Sequence, residues 1–104
     1  MSASLNGCAP PVGGASLVGR DVTREAVIQG TVLRDGHPVG SAYVRLLDGQ
    51  GEFTAEVTTD ADGAFRFFAG DGTWTLRVLA PRSPAVDSKV TAAVGSIIEV
   101  KIAI

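Results

Sequence analysis

A single cysteine, Cys8, and a single histidine, His37, are the side chains best suited by type to nucleophilic and proton-transfer chemistry near neutral pH. Cys8 lies in the stretch MSASLNGCAPPVGG, rich in Gly, Pro and Ser. A thiol on such a segment is reachable by a partner enzyme, as a sulfur-accepting or redox-sensing thiol must be. No Lys, Arg or His lies within ten residues of it, so activation would have to come from elsewhere. Two readings stay open: Cys8 as a sulfur acceptor, and Cys8 as an incidental exposed cysteine. His37 sits in Asp35-Gly36-His37-Pro38, where a solvated turn residue is expected. One Cys and one His this far apart do not by themselves make a thiol–imidazole dyad.

Asp60-Ala61-Asp62-Gly63 has the look of a calcium loop. With Gly63 at the loop's glycine position, the closing bidentate ligand would fall on Ala69, so a structural turn is expected instead. No Gly-x-Ser-x-Gly, phosphate-binding Gly loop or cluster of metal ligands occurs. Neither a metal, a cofactor nor an active site of the chain's own is therefore expected.

The remaining candidate is a surface. Strict alternation puts Tyr43, Arg45, Arg66, Phe68 and Arg77 on faces turned away from the core, together with Leu47 and Leu79. Arginine and aromatic side chains on an exposed sheet are typical of protein contact sites or anion capture. The competing expectation is that each arginine pairs across strands with Glu52, Glu56 or Asp48.

The elements that would position these residues are strands. From Glu25 onward, runs rich in Val, Ile, Thr, Phe and Leu alternate with Gly, Asp and Pro at about ten-residue intervals. Strands are expected at 25–34, 39–48, 52–59, 64–68, 73–80, 86–92 and 97–103. The Asp-Gly pairs at 35–36 and 62–63 supply turns. Turns this short imply mostly antiparallel pairing in an all-β, seven-stranded antiparallel Greek-key sandwich. Phe53, Phe65, Phe67 and Trp74 are expected to cluster at its centre. Residues 1–24 form the flexible N-terminal tail and 25–104 the β-sandwich domain in this reading.

Composition narrows the partners. The chain is 45% hydrophobic, enough for a core without cross-links, and one cysteine cannot make an internal disulfide. A net charge of −2 and arginines scattered singly argue against nucleic acid, which needs a basic stripe. No stretch is long and apolar enough to span a membrane. The start has neither a basic nor an apolar signal region; Leu5-Asn6-Gly7-Cys8 is similar to the end of a lipoprotein signal but lacks the apolar run. A cytoplasmic protein is the expectation.

Three strings carry a resemblance: Val27-Ile28-Gln29-Gly30-Thr31-Val32, then Gly36-His37-Pro38-Val39-Gly40-Ser41-Ala42-Tyr43-Val44-Arg45-Leu46, then Thr58 through Phe67. Together they resemble carboxypeptidase regulatory-like domains, which have the prealbumin-like sandwich. That resemblance implies fold only, because such domains serve many roles. Relatives on this sandwich that hydrolyse purine-pathway intermediates use several histidines. Iron dioxygenases on a related sandwich use paired His and Tyr ligands, and this chain has one of each. Others form Lys–Asn isopeptide links, but the lysines here are Lys89 and Lys101 and the single Asn is Asn6.

Val44-Arg45-Leu46-Leu47-Asp48, Glu52-Phe53-Thr54-Ala55-Glu56-Val57, Phe65-Arg66-Phe67-Phe68-Ala69 and Gly72-Thr73-Trp74-Thr75-Leu76-Arg77 are similar to a bacterial family called SseC-like. Its members carry a cysteine near the start, and their genes tend to lie beside rhodanese-type thiosulfate sulfurtransferases. The resemblance implies a non-catalytic accessory protein of sulfur metabolism. The sandwich would dock a thiosulfate sulfurtransferase through Tyr43, Arg45, Arg66 and Arg77, with Cys8 as sulfane-sulfur acceptor. The alternative is a plain binding or structural module that contacts protein or carbohydrate, or forms a homo-oligomer, with Cys8 incidental.

Overall fold

The computed structural model describes residues 12–14 and 25–104. Its strands are β1 (Ala26–Arg34), β2 (His37–Pro38), β3 (Tyr43–Leu47), β4 (Phe53–Thr58), β5 (Ala64–Ala69), β6 (Gly72–Leu79), β7 (Val86–Ala92) and β8 (Ile97–Ala103). Seven of them match the expected strands; β2 is a two-residue addition in the expected turn. Asp35 and Gly36 both have positive φ, 52° and 80°, and join β1 to β2 as a tight hairpin.

Two sheets face each other. One runs β4-β3-β6-β7, antiparallel throughout. The other is centred on β1, which pairs antiparallel with β5 and β2 and parallel with β8. Leu33 pairs with both Pro38 and Ala103, and Ile28 with both Phe67 and Ile98, so β8 lies on one side of β1 and β2 and β5 on the other. The fold is thus an all-β sandwich in which β1–β8 is the one parallel pair among the named strands.

Alternation fills the space between the sheets. Ile28 and Val32 of β1, Val44 and Leu46 of β3, Phe65 and Phe67 of β5, Leu76 and Val78 of β6, and Ile102 of β8 form one buried cluster. Phe65 and Phe67 meet with ring centroids 6.2 Å apart at an interplanar angle of 55°. Such tilted pairs add about 1 kcal/mol beyond their burial. Trp74 packs against the cluster and donates its indole N–H to the Gly70 carbonyl at 3.0 Å.

Phe53 corrects the expected four-membered aromatic cluster, because it is 61% exposed. Leu46 pairs with Ala55 but Leu47 pairs with Phe53, so Thr54 is an extra residue in β4. One inserted residue reverses the alternation beyond it and turns Phe53 to the outer face.

Val12 forms a parallel bridge to Thr58, and Gly13 N–H donates to the Thr58 carbonyl at 2.5 Å. Gly14, at φ 87°, lies so close to β5 that a Cβ there would fall 2.0 Å from the Arg66 carbonyl oxygen. Residues 12–14, within the span expected as tail, thus reach both β4 and β5.

Candidate functional site

The outer face of the β4-β3-β6-β7 sheet is built in rows across the strands. Cross-strand register aligns Glu56, Arg45, Arg77 and Asp87 in one row. Thr58, Tyr43 and Leu79 form the row on one side; Phe53, Leu47, Thr75 and Lys89 form the row on the other. Arg45 and Arg77 are direct neighbours, an arrangement that like charges oppose. Each is balanced from its far side. Arg45 Nε donates to Glu56 Oε2 at 2.7 Å. Arg77 holds Asp87 in a two-pronged pair, Nε to Oδ1 at 2.8 Å and Nη2 to Oδ2 at 2.9 Å.

The row is therefore neutral as a whole, anionic at its ends and cationic at its middle, with Arg45 and Arg77 side chains 45% and 42% exposed. Phe53 stands beside it with the Arg45 guanidinium 6.0 Å from its ring centroid. Tyr43 on the other side is 45% exposed. Leu47, although sent to this face by alternation, is buried.

The Arg77 guanidinium, chiefly by hydrogen bonding, holds the Asp87 carboxyl below its ordinary value of 3.8. A depressed carboxylate pKa adds stability above the ordinary value, and that stability is lost as pH falls through the lowered one. Both groups are exposed, so the effect is small. Asp87→Asn is expected to be slightly less stable than the native chain at neutral pH. The two should converge in acid unfolding once the pH has fallen below that lowered value, where the native carboxyl is protonated too. A gap that persists there would assign the effect to packing.

Arg66 and Phe68 correct the single contact face expected from alternation. Both lie on β5, in the opposite sheet, where Arg66 Nε donates to Gln29 Oε1 at 2.9 Å. Tyr43, Arg45 and Arg77 are brought together; Arg66 and Phe68 are not with them. Two members of the face were missed in the sequence. Phe53 was hidden by the Thr54 insertion, and Asp87 by a strand whose apolar pattern is interrupted by polar Ser88 at an inward position. Cys8 lies outside the described residues.

The other sequence candidates are turns. Asp60 Oδ1 accepts from the N–H groups of Asp62 and Ala64, both at 2.9 Å, which commits that oxygen to the loop. Asp48 Oδ1 accepts likewise from Gln50 and Glu52. Among the described residues no group of three or more His, Cys, Asp or Glu side chains converges to hold a metal. His37 and Tyr43 belong to different sheets. A cleft of about 320 Å³ opens at one end of the sandwich between Glu25, Leu46, Phe68 and Trp74. No described helix is long and apolar enough to cross a membrane.

Comparison with known structures agrees on the fold. The dioxygenase domain of a dioxygenase–carbohydrate-binding fusion from Streptomyces sp. SirexAA-E superposes with a TM-score of 0.61 at 12% identity, over 92% of this chain and 88% of that one. Catechol 1,2-dioxygenase from Pseudomonas arvilla C-1 gives 0.58 at 15% identity, over 80% and 41%. BcpA, the major pilin subunit of Bacillus cereus, gives 0.60 at 12% identity, over 77% and 29%. Identities this low carry the sandwich and no activity. The iron set of such dioxygenases does not fit here, with one His and one Tyr in separate sheets.

Sequence relatives are nearer. An uncharacterised protein of Mycolicibacterium smegmatis is 54% identical over 76 residues, covering 72% of this chain and 81% of its own. The uncharacterised protein Rv0814c of Mycobacterium tuberculosis is 52% identical over 75 residues, covering 70% and 75%. The family model described as "Protein of unknown function (DUF1416)" matches residues 8–104, from Cys8 through the last strand. The chain belongs to the DUF1416 family.

Proposed function

We propose that the protein is a non-catalytic binding module that engages a protein partner through the outer face of the β4-β3-β6-β7 sheet. The observation that carries this is the Glu56–Arg45–Arg77–Asp87 row flanked by exposed Phe53 and Tyr43. Arginine and aromatic side chains dominate protein contacts: the rings bring large area with few rotors, and the guanidinium brings a rigid planar fork of donors. The carboxylates at either end hold the guanidiniums in place before a partner arrives, which lowers the ordering cost of binding.

A second, finer reading makes the partner a rhodanese-type thiosulfate sulfurtransferase and Cys8 a sulfane-sulfur acceptor. The SseC-like resemblance supports it. In that reading the Cys8 thiol takes the outer sulfur of the enzyme's persulfide and becomes a persulfide itself. The donor cysteine leaves as a thiol, so sulfur and proton both balance.

One titration tests both levels. The full chain is titrated calorimetrically into the thiosulfate sulfurtransferase of the same organism, then examined by intact mass after thiosulfate is added. Binding that weakens about tenfold or more in Arg45→Glu/Arg77→Glu supports the face. A one-sulfur adduct that reductant removes, and that Cys8→Ser lacks while still binding, supports the acceptor. Binding unchanged by the double substitution overturns the face. A chain that neither binds nor gains sulfur overturns the sulfur reading.

A further inference from the structure

β8 is an edge strand. Among the described residues nothing pairs with its side away from β1, and Ile97, Glu99, Lys101 and Ala103 are all exposed. The direction of its backbone groups follows from two printed bonds. Val27 N–H donates to the Ser96 carbonyl at 3.0 Å, and Ile104 N–H to the Leu33 carbonyl at 2.8 Å. In a parallel ladder the residues turned toward the neighbour recur at every second position. Ser96, Ile98, Val100, Ile102 and Ile104 therefore face β1 with their backbones. The Val100 carbonyl oxygen lying against Gly30 agrees with this. Ile97, Glu99, Lys101 and Ala103 turn their N–H and C=O groups outward, to the open side.

We propose that this edge pairs antiparallel with β8 of a second copy of the chain, about a two-fold axis at Val100. In that register Glu99 stands opposite the partner's Lys101 and Lys101 opposite the partner's Glu99. Ile97 likewise stands opposite the partner's Ala103. All four are outward-facing residues, so each pair exchanges both backbone hydrogen bonds, as a closely bonded antiparallel pair requires. Val100 meets the partner's Val100 and Ile98 the partner's Ile102, which extends the apolar inner face across the axis. The result is a continuous sheet in the order β5-β1-β8-β8-β1-β5.

Charge selects this register. Edge strands are commonly protected by charged side chains whose repulsion or solvation blocks pairing. Here the two charges are opposite in sign and symmetric about Val100, so self-pairing turns them into two ion pairs. Among the described residues Glu99 takes a long 3.4 Å bond from Gln29 Nε2, which competes little. A two-fold register sets each residue against its mirror position, so no other chain need supply the complement.

The experiment measures the mass of the full chain in solution by sedimentation across a concentration series. The native chain is expected to form a dimer. Glu99→Lys and Lys101→Glu, each alone, set like charges opposite one another twice and are expected to weaken dimerisation about tenfold or more. The double variant Glu99→Lys/Lys101→Glu restores both pairs and regains the dimer. Mixing the two single variants is the sharper arm, because only the mixed dimer has every charge matched. Lys101→Pro, which removes an outward N–H and no bond to β1, should be monomeric with the native circular dichroism. A native chain that stays monomeric at every concentration overturns the proposal. So does a dimer that ignores the single charge reversals, or single variants that fail to associate on mixing while the folded double variant also stays monomeric.

Discussion

Gly30→Ala is expected to destabilise the domain by about 3 kcal/mol or more, enough to unfold much of a protein of this size. Gly30 sits at the middle of β1, with Phe65 as its partner on β5 and Val100 on β8. A Cβ there would lie 2.3 Å from the Val100 carbonyl oxygen and 2.8 Å from both Phe65 Cζ and Val100 Cγ2. Neither neighbour can give way cheaply. The carbonyl belongs to the backbone of β8, and the Phe65 ring is 2% exposed with Phe67 beside it. The aromatic ring occupies the place that a side chain on β1 would need, so the missing Cβ is part of the packing. Urea unfolding reads the effect as a lowered midpoint with an unchanged slope. Gly36→Ala is the control: nothing lies within 4 Å of its would-be Cβ, and only its φ of 80° opposes the change. That cost is about 1 kcal/mol. A Gly30→Ala midpoint within error of the Gly36→Ala one would show that β8 shifts freely, against the packing described here.

What sequence could and could not reveal follows from which interactions are local. Period-2 alternation separates inside from outside within one strand; for β6 and β8 it does so correctly, while Val27 of β1 and Leu47 of β3 are buried at outward positions. Ile28 and Val32, Val44 and Leu46, Leu76 and Val78, and Ile102 are all buried. Alternation carries no information about which sheet a strand joins. Tyr43, Arg45, Arg66 and Arg77 look equivalent along the chain, yet β5 crosses to pair with β1 while β3 and β6 pair with each other. That choice depends on contacts far apart in sequence. The parallel β1–β8 pair is hidden for the same reason. Phe53 fails differently. One extra residue at Thr54 shifts the phase, and nothing in Glu52-Phe53-Thr54-Ala55 marks a bulge. The tight hairpin at Asp35-Gly36 was legible because the positive φ it needs is a property of those two residues themselves.

Thr59→Val, nearly identical in shape, is expected to cost about 2 kcal/mol, whereas Thr59→Ser costs about 1 kcal/mol or less. Thr59 is 2% exposed, the one buried polar side chain among the described residues. Its hydroxyl donates to the Val39 carbonyl at 2.6 Å and accepts from the Ala42 N–H at 3.0 Å. Its own backbone closes the same loop: Ser41 N–H donates to the Thr59 carbonyl at 3.0 Å, and Thr59 N–H to the Ala42 carbonyl at 2.8 Å. Between these bonds Ser41 is held at φ 61°, a conformation that non-glycine residues resist. Valine keeps the volume and strips Ala42 of its acceptor inside the protein, where an unpaired N–H costs more than the lost bond alone. Serine keeps both bonds and loses a methyl group. Hydrophobicity alone would rank the two the other way, so their order in urea unfolding decides between packing and hydrogen bonding as what Thr59 supplies. Amide exchange gives the local reading: the Ala42 N–H should exchange faster in Thr59→Val and stay protected in Thr59→Ser. The consequence reaches the contact face, because Ala42 leads directly into Tyr43 at the start of β3. A loosened entry would let Tyr43 drift from the Arg45 row, so Thr59→Val should also weaken any partner bound there, though it touches no partner itself. Equal stability of the valine variant and the native chain would mean that Ser41 and Ala42 are held by the backbone bonds alone.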